Sequence, residues 1–288
     1  MSQPDPTDHV ARPATRFVEG LINYTRRTTG RLRYHAYDGT RDTGSLDGHT
    51  VGIEDARSQP RAPCLEREGF VLLPHKSAVI DSDTMPDAAR YMDSRCSLEI
   101  MELMRGFSSA DVLVFTNPPC VRVNRSREHS GVLHDDYPIN VAHVDISRKT
   151  AIDGAASLCP KGELRRVRRF AYYNIWRAIS PPPQDTPLAV CDASTVSEAD
   201  LTPTDAVYDY PGQAVYSHEA LSVHYSPRHR WCYFSNMTRD EVLIFQMYDS
   251  APGRPGPVPH CAFLDPSSPA DAPQRCSIEM RLLAYWYH

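Results

Sequence analysis

"NVAHVDIS", residues 140–147, sets His143 and Asp145 two residues apart beside Val141, Val144 and Ile146. In an extended strand, side chains two apart share a face. This reading points His143 and Asp145 together into an interior and Val144 into the opposite layer. Composition alone predicts about one H-x-D by chance, and the chain holds two. The other, His134-x-Asp136, lies in the polar, loop-like "EHSGVLHDDYP". The pair at 143 and 145 therefore carries weight only if its surroundings are β-structure.

They read that way. After one helical stretch the chain runs through short segments rich in Val, Ile, Tyr, Trp and Phe, separated by Pro, Asp, Ser or Gly clusters. These are Asp111–Thr116, Ile139–Ile146, Arg169–Arg177, Ala214–Val223, Trp231–Ser235, Glu241–Asp249 and Ser277–Tyr287. Successive strands without intervening helices predict an antiparallel sandwich or barrel. "GFVLLPH" reads as a further strand. Residues 86–107 read as the one clear helix, with Ala89, Met92, Cys96, Ile100, Leu103 and Phe107 forming a packing stripe. Residues 1–65 are polar and read as an irregular N-terminal extension packed on a core at 66–288. Short strands are expected within it at Leu32–Tyr37 and Thr50–Asp55.

Composition narrows the class. With 288 residues the chain is long enough for a substantial core around an internal pocket. A net charge of −5, with no basic tail, argues against nucleic acid as a partner. No apolar run approaches the roughly 18 residues of a membrane helix. The polar start "MSQPDPTDHVARP" lacks a signal-peptide core, so a cytoplasmic protein, monomer or homodimer, is expected. The eight cysteines include no C-x-x-C and are expected to be reduced packing residues.

An imidazole and a carboxylate are two of the three ligands in the facial triad of non-haem iron oxygenases, which leaves positions open for co-substrate and O2. A third ligand would come from His218, His224, His229 or His260. His229 sits in the charged turn "SPRHRW" and reads as solvated. His218 and His224 flank an apolar strand, and His260 opens a short apolar segment in "VPHCAF". Further on, Arg275, Ser277, Glu279 and Arg281 share one strand face, opposite Cys276, Ile278, Met280 and Leu282. A guanidinium beside a hydroxyl suits a dicarboxylate. The plainer reading pairs Glu279 with an arginine across the sheet.

The ordered set N-x-W-R (174–177), P-L-A-x-C-D (187–192), Y-D-S (248–250), H-x-x-F (260–263) and R-x-S-I-E (275–279) resembles the AsaB/CmcJ-like hydroxylase/desaturase family. The likeness runs over roughly residues 65–288. It implies an Fe(II)/2-oxoglutarate-dependent dioxygenase of natural-product biosynthesis. The fold implied is mainly β with supporting helices, a cupin-like jelly-roll or double-stranded β-helix. Carried over by position, the resemblance makes His143, Asp145 and His260 the iron ligands. It puts Arg275 or Arg281, with Ser277, at the distal carboxylate of 2-oxoglutarate, and Asn174 and Trp176 near the cofactors. The chain departs from the family in Ala178 after Trp176-Arg177, where W-R-P is common, and in Gln246, where lysine is common. Arg177 and Gln246 are therefore candidate substrate contacts.

The substrate expected on family habit is a small, amino-acid-like molecule, losing hydrogen from an aliphatic C–H to give hydroxylation, desaturation or ring closure. Loops 117–138 and 148–168 are expected to form a mobile lid. Within it Arg122, Arg125, Arg165, Arg166 or Arg168 would meet a substrate carboxylate. A zinc hydrolase with the same His/Asp/His set is the first rival, although no H-E-x-x-H supplies its base. A non-catalytic β-barrel binding protein is the second, and it requires His260 to lie out of reach of His143.

Overall fold

The computed structural model describes residues 15–78, 94–123, 137–160 and 163–288. In chain order its strands are β1 (Phe17–Thr25), β2 (Leu32–His35), β3 (Leu46–Asp55), β4 (Phe70–Pro74), β5 (Val112–Phe115), β6 (Cys120–Val123) and β7 (His143–Val144). There follow β8 (Val167–Ala178), β9 (Leu188–Cys191), β10 (Leu201–Tyr208), β11 (Tyr216–Val223), β12 (Trp231–Tyr233), β13 (Glu241–Asp249), β14 (His260–Ala262) and β15 (Cys276–Tyr287). Two α-helices are described, α1 (Ser94–Ser108) and α2 (Arg148–Leu158).

The strands form two sheets. The larger runs β1-β3-β12-β9-β14-β7-β11-β10-β2, and the smaller β4-β13-β8-β15-β5, with β6 added against β15. Leu188 and Val190 from the larger sheet meet Trp176, Leu243 and Phe245 from the smaller in one buried cluster. Burying a side chain such as Phe245 is worth about 1.5–3 kcal/mol, so this shared face holds the sheets together. The result is the expected double-stranded β-helix. Cys276, Ile278, Met280 and Leu282 point outward from it and pack under Cys96, Ile100 and Met104 of α1. Among the described residues, no helix is long and apolar enough to cross a membrane.

Three expectations need correction. The stretch taken as irregular carries β1 and β3, antiparallel over their full lengths at the edge of the larger sheet. The loop expected at 148–168 begins as α2, whose start is capped by Ser147 accepting from the Thr150 amide. Cys120–Val123, inside the other supposed lid segment, is a strand held on β15. Residues 86–93 of the expected helix, together with Arg125, His134 and Asp136, lie outside the described residues.

Candidate metal centre

Strand β7 is only two residues long, but it occupies a critical position. His143 is paired with His260 of β14 on one side and with Ser222 of β11 on the other. That register brings two residues 117 apart in sequence into cross-strand contact, with ring centroids 4.4 Å apart. Asp145 follows as the chain leaves the strand. Its carboxylate lies 3.5 Å from His143 Nε2 and 3.7 Å from His260 Nε2. One ligand atom from each of the three side chains falls within 4.8 Å of the others, so the group can hold a metal ion.

Hydrogen bonds orient both imidazoles. His143 Nδ1 donates to the Val141 carbonyl at 2.7 Å, and His260 Nδ1 donates to the Val258 carbonyl at 3.3 Å. A carbonyl only accepts, so each ring proton sits on Nδ1 and each Nε2 lone pair faces Asp145. Burial, then the neighbouring His143, pushes the His260 pKa down to about 4, which keeps it neutral. For Asp145, burial opposes ionisation, but the Arg281 guanidinium beside it holds its carboxyl well below the usual range. Two imidazole nitrogens and one carboxylate form the donor set of a site with open positions.

Around this triad lies a charged frame. Arg281 donates to Asp145 Oδ1 and Glu279 Oε1, both at 2.9 Å. Asn174 Nδ2 donates to Asp145 Oδ2 at 3.1 Å, while its own Oδ1 finds no partner among the described residues. Glu279 is also paired with Arg122 of β6, at 3.2 and 3.4 Å. Burial raises the Glu279 pKa, but Arg122 and Arg281 outweigh it and keep the carboxyl ionised. The inward face predicted for Arg275, Ser277, Glu279 and Arg281 is thus present, and so is the cross-sheet ion pair.

A small cavity of about 20 Å³ touches His143, His260, Trp176, Phe245, Arg122, Glu279 and Arg275. Arg275 is fully buried. It donates from Nη1 to the Thr186 carbonyl, and its Nε has no hydrogen-bond partner among the described residues. Burial, then Arg122, lowers its pKa to about 10, so it remains charged near neutrality. Ser277 is buried at the level of Arg122 but does not line this cavity.

A second cavity, about 580 Å³, opens on the other side of Glu279, Arg122 and Arg281. Its remaining wall includes Ile146, Met247, Tyr172, Tyr208, Tyr216 and His218, with Thr150, Gly154 and Leu158 from α2. His218, which reads as a ligand or, more commonly for its position, a structural histidine, is not among the three converging side chains. Instead, its Nε2 donates to the Asp145 carbonyl at 2.9 Å, and its ring stacks on Tyr208. The tyrosines were missed, although Tyr216 and His218 alternate along one strand and so share a face.

Other candidates lie elsewhere. Arg177 points away from the triad, reaches the His75 and Arg239 carbonyls beneath α1 and lines neither of these two cavities. Gln246 spends its amide on the Pro255 and Gly256 carbonyls, on the side of β13 opposite Phe245. Arg166 and Arg168 are spent on Tyr287, over its ring and on its carbonyl, and none of Arg165, Arg166 and Arg168 lines the large cavity. The His229 side chain is buried, stacked on Tyr24 and 3.4 Å from Asp200, not solvated. His224 is satisfied by the Thr25 carbonyl and the Thr202 hydroxyl.

Comparison with known proteins agrees with this geometry. A family model described as an oxidoreductase/YMDC permease-like domain matches residues 22–285. The hydroxylase/desaturase efuI of Hormonema carpetanum is 38% identical over 93% of this chain and 95% of its own. The Fe(II)/2-oxoglutarate-dependent dioxygenase nvfI of Aspergillus novofumigatus is 28% identical over 82% of this chain and 83% of its own. A solved structure titled as the iron and alpha-ketoglutarate-dependent endoperoxidase NvfI superposes with a TM-score of 0.79 at 26% identity, covering 94% of this chain and 99% of that one.

Proposed function

This chain belongs to the hydroxylase/desaturase family of Fe(II)/2-oxoglutarate-dependent dioxygenases, and from that premise we propose that His143, Asp145 and His260 hold its iron while Arg275 receives the distal carboxylate of 2-oxoglutarate. The observation that carries the reading is the convergence of three ligand atoms within 4.8 Å, on residues from β7, the turn after it and β14. The donor set fits a divalent iron with vacant positions. The unpartnered Nε of Arg275, in a cavity shared with both imidazoles, fits a bound carboxylate. Arg281 is already committed to Asp145 and Glu279, which favours Arg275 for that role.

When bound, iron, 2-oxoglutarate and O2 supply the oxidising power to take hydrogen from an unactivated C–H, with succinate and CO2 released. The chain's own residues position and exclude. Asn174 and Arg281 fix the Asp145 carboxylate, and the Val141 and Val258 carbonyls fix the ring tautomers. Trp176, Leu188 and Phe245 keep bulk water from the small cavity. The large cavity holds the substrate, a small natural-product intermediate, against the tyrosines and α2.

Anaerobic addition of Fe(II) and 2-oxoglutarate should give the weak visible charge-transfer band of such a complex, and admission of air should then release succinate. The His260→Ala protein should do neither. Wild-type protein that does neither, in fully metallated form, refutes the reading.

A further inference from the structure

The charges on the wall of the large cavity answer one another. Among the described residues lining it, the charged side chains are Arg122, Glu279 and Arg281. Arg122 is bonded to Glu279 at 3.2 and 3.4 Å and to the Tyr137 carbonyl at 3.0 Å. Arg281 is shared between Glu279 and Asp145, both at 2.9 Å. Two guanidiniums thus stand against two carboxylates. A metal dication bound together with a dianionic co-substrate leaves that balance as it is.

Three uncharged polar side chains of the wall are engaged as well. Thr150 Oγ1 donates to the Glu219 carbonyl at 2.8 Å, Asn117 Nδ2 to the Pro118 carbonyl at 2.9 Å, and Thr116 Oγ1 to Asn117 Oδ1 at 3.1 Å. Beside them stand Ile146, Leu158, Met247 and the rings of Tyr172, Tyr208 and Tyr216. A ligand carboxylate brought to this wall meets Glu279 and finds both arginines committed. An ammonium meets the arginines and finds their carboxylates committed. Either charge would be desolvated without a partner of its own, which is costly. At about 580 Å³ the chamber nevertheless has the size of pockets that enclose drug-sized molecules.

We propose that the substrate is an uncharged, ring-bearing molecule, with neither a carboxylate nor an ammonium group where it meets Arg122, Glu279 and Arg281. This rests on the assignment of the large cavity to the substrate above. The closed network of charges then serves as a selector: it gives a neutral ring a wall to lie on and turns away ions of either sign.

Calorimetry at pH 7 with three probes of similar shape tests it: 2-naphthamide, 2-naphthoate and 2-naphthylmethylammonium. Wild-type protein should bind the amide about 10-fold or more tighter than either ion, the scale of leaving a buried polar group unpaired. Leu158→Trp, which narrows the chamber, should weaken amide binding, and an unaltered affinity places the probe elsewhere and overturns the proposal. Glu279→Gln removes one carboxylate from the wall and should raise naphthoate affinity relative to naphthamide about 10-fold. Arg122→Gln should do the same for the ammonium, and serves if the Glu279 variant does not fold. Either ion bound as tightly as the amide, no binding of the amide, or a charge preference unmoved in the variants overturns the proposal. None of these probes needs iron. A protein that selects naphthamide but gives no charge-transfer band and no succinate loses the oxygenase reading alone. One that passes those assays and fails this one loses only the neutral-substrate inference.

Discussion

Replacing Arg281 by Gln should separate two functions of that side chain, support of the metal-free fold and custody of Asp145. Its Nη2 lies 2.9 Å from both the Asp145 and the Glu279 carboxylate, and its side chain is 16% exposed against 5% and 9% for theirs. At that distance and an effective dielectric near 20, each pairing has a gross attraction of ~6 kcal/mol. Most of it is offset by the cost of taking the charges out of water, and breaking one buried partnership costs about 3–5 kcal/mol net. The lower end applies, because Glu279 retains Arg122 and Asp145 retains Asn174. In a chain of this size, ~3 kcal/mol lowers Tm by roughly 6–12 °C, which differential scanning calorimetry of the chelator-treated protein will read. Saturating Zn(II) should then raise the melting temperature of the variant by more than that of wild type. A dication among His143, Asp145 and His260 supplies the counter-charge that Arg281 provides in its absence. Equal Zn(II) shifts in the two proteins, or a metal-free variant as stable as wild type, would refute the reasoning.

Three further outcomes are expected. Asn174→Ala removes a hydrogen bond to the Asp145 carboxylate and should weaken metal affinity about 10–100-fold in a competition titration. A Cβ on Gly154 would meet the Tyr172 hydroxyl at 2.5 Å, and that hydroxyl is buried without a partner among the described residues. Gly154→Ala should therefore destabilise, Tyr172→Phe should be neutral or stabilise by about 1 kcal/mol, and the double variant should recover the loss in urea melts. Burial holds His218, His224 and His229 below the ordinary imidazole value of 6.5. The unfolded chain thus binds more protons as pH falls through 6.5, and stability that is complete above that value should decline below it. A urea midpoint that stays flat from pH 7 to pH 5 would contradict this.

Strand parity made much of the centre legible. The period of two put His143 with Asp145, and Arg275 with Glu279 and Arg281, on inward faces, while Cys276, Ile278 and Met280 went to the helix. The same rule, applied strictly, removes Arg177 and Gln246, since each alternates with an inward neighbour, Trp176 or Phe245. Strand β1 escaped because apolar residues stand on both of its faces, Val18, Ile22 and Tyr24 inward and Phe17 and Leu21 outward. Phe17 and Leu21 are exposed, while Gly20 lies inside, where a Cβ would come within 2.6 Å of Ile53. Helix α2 escaped because its buried face is Ala151 and Ala155, with Ile152 turned outward, so no apolar stripe marks it. His229 reads as solvated from its charged neighbours, and only the fold supplies the Tyr24 ring and Asp200 that bury it.

Thr150, Gly154 and Leu158 recur every four residues along α2, one turn apart, and the helix starts three positions after Asp145. Redesign can therefore treat that flank as an exchangeable cassette. Exchanging Leu158, or Gly154 together with Tyr172, changes the shape of the chamber while His143, Asp145 and His260, which come from β7, its turn and β14, are left untouched. Descendants of one such scaffold can diverge in what they admit without relearning how to hold a metal.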